Sequence, residues 1–159
     1  MIRIAKNSLI YPWMMFLLVS FSLVTLTAVA SSATLKIGES YGGGVVLYID
    51  ATGQHGLIAA KSDVTSQSSG KEAGFFSWYD AKIAANAFVD GYCDWFLPNK
   101  EQLNQLYLNR TVVGGTAGTY YWSSSESDAN SGWGQDFTNG EQLVGRKTNG
   151  SHVRAVRAF

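Results

Sequence analysis

The chain has 159 residues, with 12 Lys+Arg against 12 Asp+Glu, 17 Gly, 2 Pro and a single Cys. Balanced charge excludes a generic electrostatic clamp for nucleic acid, which rests on a domain-wide basic excess. One cysteine excludes a disulfide framework and any multi-cysteine zinc or iron–sulfur site, and the length fits a single domain.

Arg3 and Lys6 precede an uncharged run from Met14 to Ala30 that closes on Ala28-Val29-Ala30. A basic start, an apolar stretch and small residues at its end make a secretory signal, expected over residues 1–30 with cleavage after Ala30. An uncleaved anchor is the alternative, but the run sits at the short limit for a span and Ser and Thr dilute it. The protein is therefore expected to be exported: secreted, surface-bound or periplasmic. Removing Arg3 and Lys6 leaves 10 Lys+Arg against 12 Asp+Glu, a net charge of −2. A domain of the remaining size buries roughly two-thirds of its unfolded surface, so its core needs no disulfide. Cys93 is then expected as a small buried hydrophobe.

Residues 31–40 read as a short polar leader, with the domain expected over 41–159. Tyr41-Gly42-Gly43-Gly44 feeds an apolar, β-branched strand over 45–50, and a turn through Gly53 and Gly56 returns a second strand over 57–60. A phosphate cradle would need a helix directly after the glycines, and a strand follows instead. Residues 61–74 read as a loop. Ser77 is the N-cap of a helix over 78–88, with Asp80 completing a capping-box-like pattern and Trp78, Ala81, Ala85 and Phe88 on one face. After a turn and an extended piece ending at Pro98, Asn99 caps a second helix over 100–109 with Gln102 as box partner. Residues 111–118 read as a loop. Strands are expected over 119–124, 133–137, 142–147 and 152–159, with Asn139-Gly140 turning a hairpin. Strands, two helices, then strands define an α+β class.

The run Gly91-Tyr92-Cys93-Asp94-Trp95-Phe96-Leu97-Pro98, leading into a helix that ends Leu106-Tyr107, resembles the signature of the Lcl C-terminal-domain family. Tyr121-Trp122-Ser123-Ser124-Ser125-Glu126, then Phe137 with Asn139-Gly140, then Val153-Arg154-Ala155-Val156-Arg157, are similar to that family's closing half in the same order. The resemblance covers about residues 36–159. It implies a C-type-lectin-like fold, two helices packed on a twisted antiparallel sheet with long loops, within the formylglycine-generating-enzyme-like group. It also implies an exported bacterial module that binds sulfated glycosaminoglycans and assembles as a homo-trimer. Phe96 stands where the family usually has Arg, and no collagen-like repeat precedes the domain.

A catalytic centre finds little support in the residues. His55 and His152 are the only histidines, and neither has a ligand-type neighbour at metal spacing. Cys93 with either histidine is the one nucleophile–base pair available, while the oxidases of the fold group use two cysteines. Gly140 to Thr148 imitates a P-loop only with Arg146 inserted before Lys147. No cofactor is expected. Glu126, Asp128 and Asn130 alternate oxygen ligands, and Asp136 is the further carboxylate a calcium site would want. From Phe137 to Phe159, Arg146, Lys147, Arg154 and Arg157 face Glu141 alone. Arg forks match sulfate and carboxylate, and Trp133 with Tyr121 and Trp122 offers faces for sugar stacking. Arg154 and Arg157, three apart on a strand, point to opposite faces, so Arg146 and Lys147 are the better ligand residues.

The expected function is a non-catalytic adhesion module for carbohydrate, an anionic polysaccharide or glycosaminoglycan-like ligand, with Arg146, Lys147, Arg154, Trp133 and Asn149 as its binding residues. The alternatives are a calcium-stabilised protein-binding adhesin and an enzyme of the fold group. Partners would be extracellular carbohydrate or a surface protein, with no nucleic acid, and with the membrane touched only through an uncleaved signal.

Overall fold

The computed structural model describes residues 34–65, 74–88 and 90–159. The signal segment at 1–30 and the middle of the loop at 61–74 lie outside the described residues. In chain order the elements are β1 (Ser40–Tyr41), β2 (Gly44–Ile49), β3 (Gly56–Ala59), α1 (Trp78–Asn86), α2 (Lys100–Leu108), α3 (Arg110–Val113), β4 (Tyr120–Glu126), β5 (Ser131–Asp136), β6 (Gln142–Arg146) and β7 (Val156–Ala158). The class is α+β, but the strands form two antiparallel sheets rather than one: β1-β2-β3-β7 and β4-β5-β6.

Strand β3 explains the layering. Every residue of β3 is buried. Successive side chains of a strand leave opposite faces, and here each face meets its own core. Ile58 and Ala60 join Trp78, Ala81 and Ala85 of α1, with Trp95, Trp122, Val153 and Ala155. Leu57 and Ala59 join Leu103 and Leu106 of α2, Val113 of α3, Tyr121 and Phe137. A continuous apolar run is what a strand buried on both sides requires.

Both long helices start as their residues dictate. Ser77 Oγ accepts from Asp80 N, and Asn99 Oδ1 accepts from Gln102 N at 2.8 Å while Gln102 Oε1 accepts from Asn99 N at 2.9 Å. The single turn α3 replaces the first part of an expected loop. Its Thr and Val have modest helix propensity, but Val113 reaches the core and Gly114, at φ 71°, stops the turn.

Three further expectations are corrected. Gly38 and Glu39, expected as leader, belong to the fold: Gly38 N donates to Val46 O at 2.8 Å and Val46 N to Glu39 O at 2.9 Å. A Cβ on Gly44 would overlap Ala59 O, so the glycine run is a tightly packed entry. The last strand is divided. Ser151 bridges Phe76, His152 bridges Tyr121, and only Val156–Ala158 pairs with β3. Between these points Arg154 turns its side chain into the interior. Cys93 is exposed, because Trp95 and Leu97 fill the core from that segment instead.

Candidate functional site

The β5–β6 hairpin sorts the basic corner into two faces. Its register pairs Ser131 with Arg146, Trp133 with Val144 and Gln135 with Gln142, while Gly132 pairs with Gly145. The two paired glycines are seats for indoles. A Cβ on Gly132 would lie 2.6 Å from Trp78 Nε1, and one on Gly145 would lie 2.8 Å from Trp122 Cη2. The tryptophans therefore take the inner face, and Arg146, Val144 and Trp133 take the other. Helix α2 covers the far end of that face: Gln135 Nε2 donates to Asn104 Oδ1 at 2.9 Å, and Gln142 Nε2 to Lys100 O at 3.0 Å. Lys100 Nζ stands 3.4 Å from the Trp133 ring centroid.

The near end stays open. A cleft of about 450 Å³ is lined by Tyr79, Asn130, Ser131, Arg146, Lys147 and Thr148. Arg146 is exposed and makes no side-chain hydrogen bond or ion pair among the described residues. Asn149, also exposed, turns back to donate its N–H to Arg146 O at 2.9 Å. Tyr79 projects its ring from α1, 55 % exposed, on the side away from the buried Trp78, Ala81 and Ala85.

Lys147, expected as a free ligand cation, is a staple instead. Its side chain is 4 % exposed, and Nζ donates to Glu126 Oε2 at 2.7 Å and to Ala129 O at 3.0 Å. Its backbone accepts from Trp78 N and donates to Asn130 O, both at 2.9 Å. The hydrogen bond from Lys147 holds the Glu126 carboxyl below the usual carboxylate range. Lys147 thus lies beneath the cleft with its charge matched, and Arg146 is the cation that faces solvent. Arg154 lies apart from the cleft, fully buried and bound to Asp63. Trp133 is half-buried and diagonal to Arg146 across the ladder, on the order of 7–8 Å between backbones.

The calcium candidates do not converge. Asp128 accepts from Asn130 N at 2.7 Å, which draws its carboxyl below the ordinary range, and Glu126 is taken by Lys147. Asp136 sits at the other end of β5, opposite Tyr120, roughly 17 Å along the strand from Ser131, and accepts from Thr138. Among the described residues no group of three or more His, Cys, Asp or Glu is placed to hold a metal ion. Cys93 lines a shallow hollow with Gly91, Tyr92, Asp94 and Arg157, and neither histidine reaches it. His152 is packed between the Phe75 and Tyr121 rings.

The sequence reading missed Tyr79 as a cleft residue. The signal was present: a helical projection of α1 that turns Trp78, Ala81 and Ala85 inward turns Tyr79 outward. The Lys100–Trp133 pairing had no such signal, since it depends on where α2 crosses the second sheet.

The scaffold is a small α+β fold that holds an arginine and a tyrosine open at the rim of a sheet. The Lcl C-terminal domain matches residues 54–157, and the chain belongs to that family. No curated protein matches the chain. Membership points to an adhesin-like module, and the matched span contains every residue of the Arg146 cleft.

Proposed function

We propose that this chain is an exported, non-catalytic adhesion module that binds an anionic polysaccharide of glycosaminoglycan type through the Arg146 cleft. The observation that carries this reading is the open guanidinium of Arg146, unengaged among the described residues and standing beside the exposed Tyr79 ring and the hydroxyls of Ser131 and Thr148. A planar guanidinium presents paired donors that fit a sulfate or carboxylate, and an exposed phenol ring offers an apolar face to a sugar. Asn130 adds a polar group to the lining, and Asn149, whose N–H holds the Arg146 carbonyl, is exposed in the turn that follows. Lys147 supports the cleft from below and leaves direct contact to Arg146. A homo-trimer, as the resemblance implies, would present three such clefts to one polymer and raise avidity without new contacts.

Heparin-column retention tests the assignment. Arg146→Ala should elute at clearly lower salt than the parent, and Tyr79→Ala should follow it. Lys36→Ala, a change at the other end of the described fold, should leave elution in place. Unchanged retention of Arg146→Ala would remove this cleft as the site.

A further inference from the structure

A second cleft, of about 410 Å³, opens where the β2–β3 hairpin meets the start of α2. It is built by a β-bulge. Val46 pairs with Ile58 and Tyr48 with Leu57, so Leu47 has no cross-strand partner. The bulge breaks the alternation: Val46 and Leu47 are both fully buried, and Tyr48 is swung out to 38 % exposure. Leu47 O, freed from the ladder, accepts from Asn109 Nδ2 at 3.1 Å, which fixes the bulge to the end of α2. Bulges of this kind re-aim a side chain, and they gather beside functional sites.

The lining has a consistent chemistry. Tyr48 and Leu57 supply an apolar floor, Asp50 and Glu101 supply two carboxylates, and Gln102 and Gln105 supply amides. Neither Lys nor Arg lines it, and the imidazole of His55 is its one basic side chain. Asp50 Oδ1 accepts from Thr52 and from His55 N, which anchors the turn and leaves Oδ2 without a partner among the described residues. Glu101 and the Gln105 amide make no side-chain hydrogen bond among the described residues, and Gln102 uses only Oε1, in the helix cap. The charge is opposite to that of the Arg146 cleft, whose lining holds one open cation, Arg146, and no carboxylate. Anions are repelled here and an ammonium is favoured, both by the carboxylates and by the face of the Tyr48 ring. Free amides suit hydroxyl groups, and the tyrosine–leucine floor suits the apolar face of a pyranose.

We infer that this cleft binds an amino sugar with a free, protonated amine, its ring on Tyr48, its ammonium toward Asp50 and Glu101, and its hydroxyls toward Gln102 and Gln105. The module then carries two glycan clefts of opposite charge, one on each sheet.

The test is calorimetric titration of the purified protein with a glucosamine tetramer, beside the N-acetylated tetramer. The glucosamine tetramer should bind saturably, and acetylation should weaken binding by about tenfold or more, the loss of one charge-assisted hydrogen bond. Glu101→Gln and Tyr48→Ala should each weaken it by a similar factor, and Gln105→Ala, which removes an amide assigned to the sugar hydroxyls, should weaken it as well. Thermal midpoints close to the parent's would show that each variant is folded. Arg146→Ala should leave this binding unchanged, so failure here and failure of the heparin assignment are separable. Absence of saturable binding, equal affinity for the acetylated tetramer, or indifference to both Glu101→Gln and Tyr48→Ala would overturn the inference.

Discussion

Burying a guanidinium is costly unless its donors are met. Arg154 is fully buried, and it donates to Asp63 Oδ1 at 2.7 Å, to Ala60 O at 2.8 Å, to Gly114 O at 3.2 Å and to Gly115 O. Asp63 Oδ2 in turn accepts from the Tyr121 hydroxyl at 2.7 Å, and that hydroxyl accepts from Ala117 N at 2.6 Å. One residue therefore ties two loops to the last segment of chain. Arg154→Ala strips the Asp63 charge of its cation and leaves Asp63 Oδ1 and three carbonyls without their donor, and it should cost about 3–5 kcal/mol in urea unfolding. A loss below about 1 kcal/mol would place the network's weight elsewhere. The same network makes a pH prediction. Burial, then the hydrogen bond to Asp63, pushes the Tyr121 phenol well above its ordinary value. A group with a raised folded-state pKa contributes fully below its unfolded value, near 10, and that contribution is lost as pH rises past it. Thermal midpoints should therefore be flat to about pH 9 and fall above about pH 10. Tyr121→Phe should lower the plateau and make the alkaline fall shallower. A fall of unchanged steepness would assign it to other groups.

The elements show which instructions are local and which are not. The capping box of α2 is written within four residues, and Asn99→Ala should cost about 1 kcal/mol of stability, read from the unfolding midpoint. Gly145 is a longer-range instruction, since a Cβ there meets Trp122 at 2.8 Å. Gly145→Ala should cost about 1–3 kcal/mol as the indole is forced to shift. Near-neutral results would show that the sheet slides at little cost. This division sets what could be read in advance. Ser77, Asn99 with Gln102, and Asn139-Gly140 mark their helices and turn because each signal lies beside the structure it specifies. Arg146 was legible as an exposed cation for the same reason, lying at the open end of a short hairpin. Lys147, its neighbour, was not: its burial depends on Glu126, 21 residues away, and on the indole of Trp78. Arg154 depends on Asp63, 91 residues away. Cys93 has the intrinsic preference of a core residue, and the inward turn of Trp95 and Leu97 overrides it. The bulge at Leu47 leaves no mark in an apolar run, because Val46 and Leu47 look alike whichever face they take.

At the scale of the whole molecule, the two cores share their walls. Ile58 and Leu57 are neighbours on β3 and belong to different clusters, as do Trp122 and Tyr121 on β4 and Ala155 and Val156 in the last segment. Neither core can open without moving a backbone that the other packs against. Small domains of this kind unfold as one cooperative unit. Trp78→Ala empties part of the α1 core and removes the donor to Ser123 O, while Leu103→Ala empties part of the α2 core. Each should cost about 2–5 kcal/mol, and each should move the same transition. The measurement is urea unfolding followed by tryptophan fluorescence and by far-ultraviolet circular dichroism on both variants. Fluorescence reports mainly the α1 side, where Trp78, Trp95 and Trp122 cluster, and circular dichroism reports all helices and strands. Coincident curves for both variants would show that α1 and α2 brace one scaffold, which holds both clefts in fixed relation to their sheets. If Leu103→Ala shifted the dichroism curve and left the fluorescence curve in place, the shared strands would not couple the cores, and each cleft would rest on its own half of the fold.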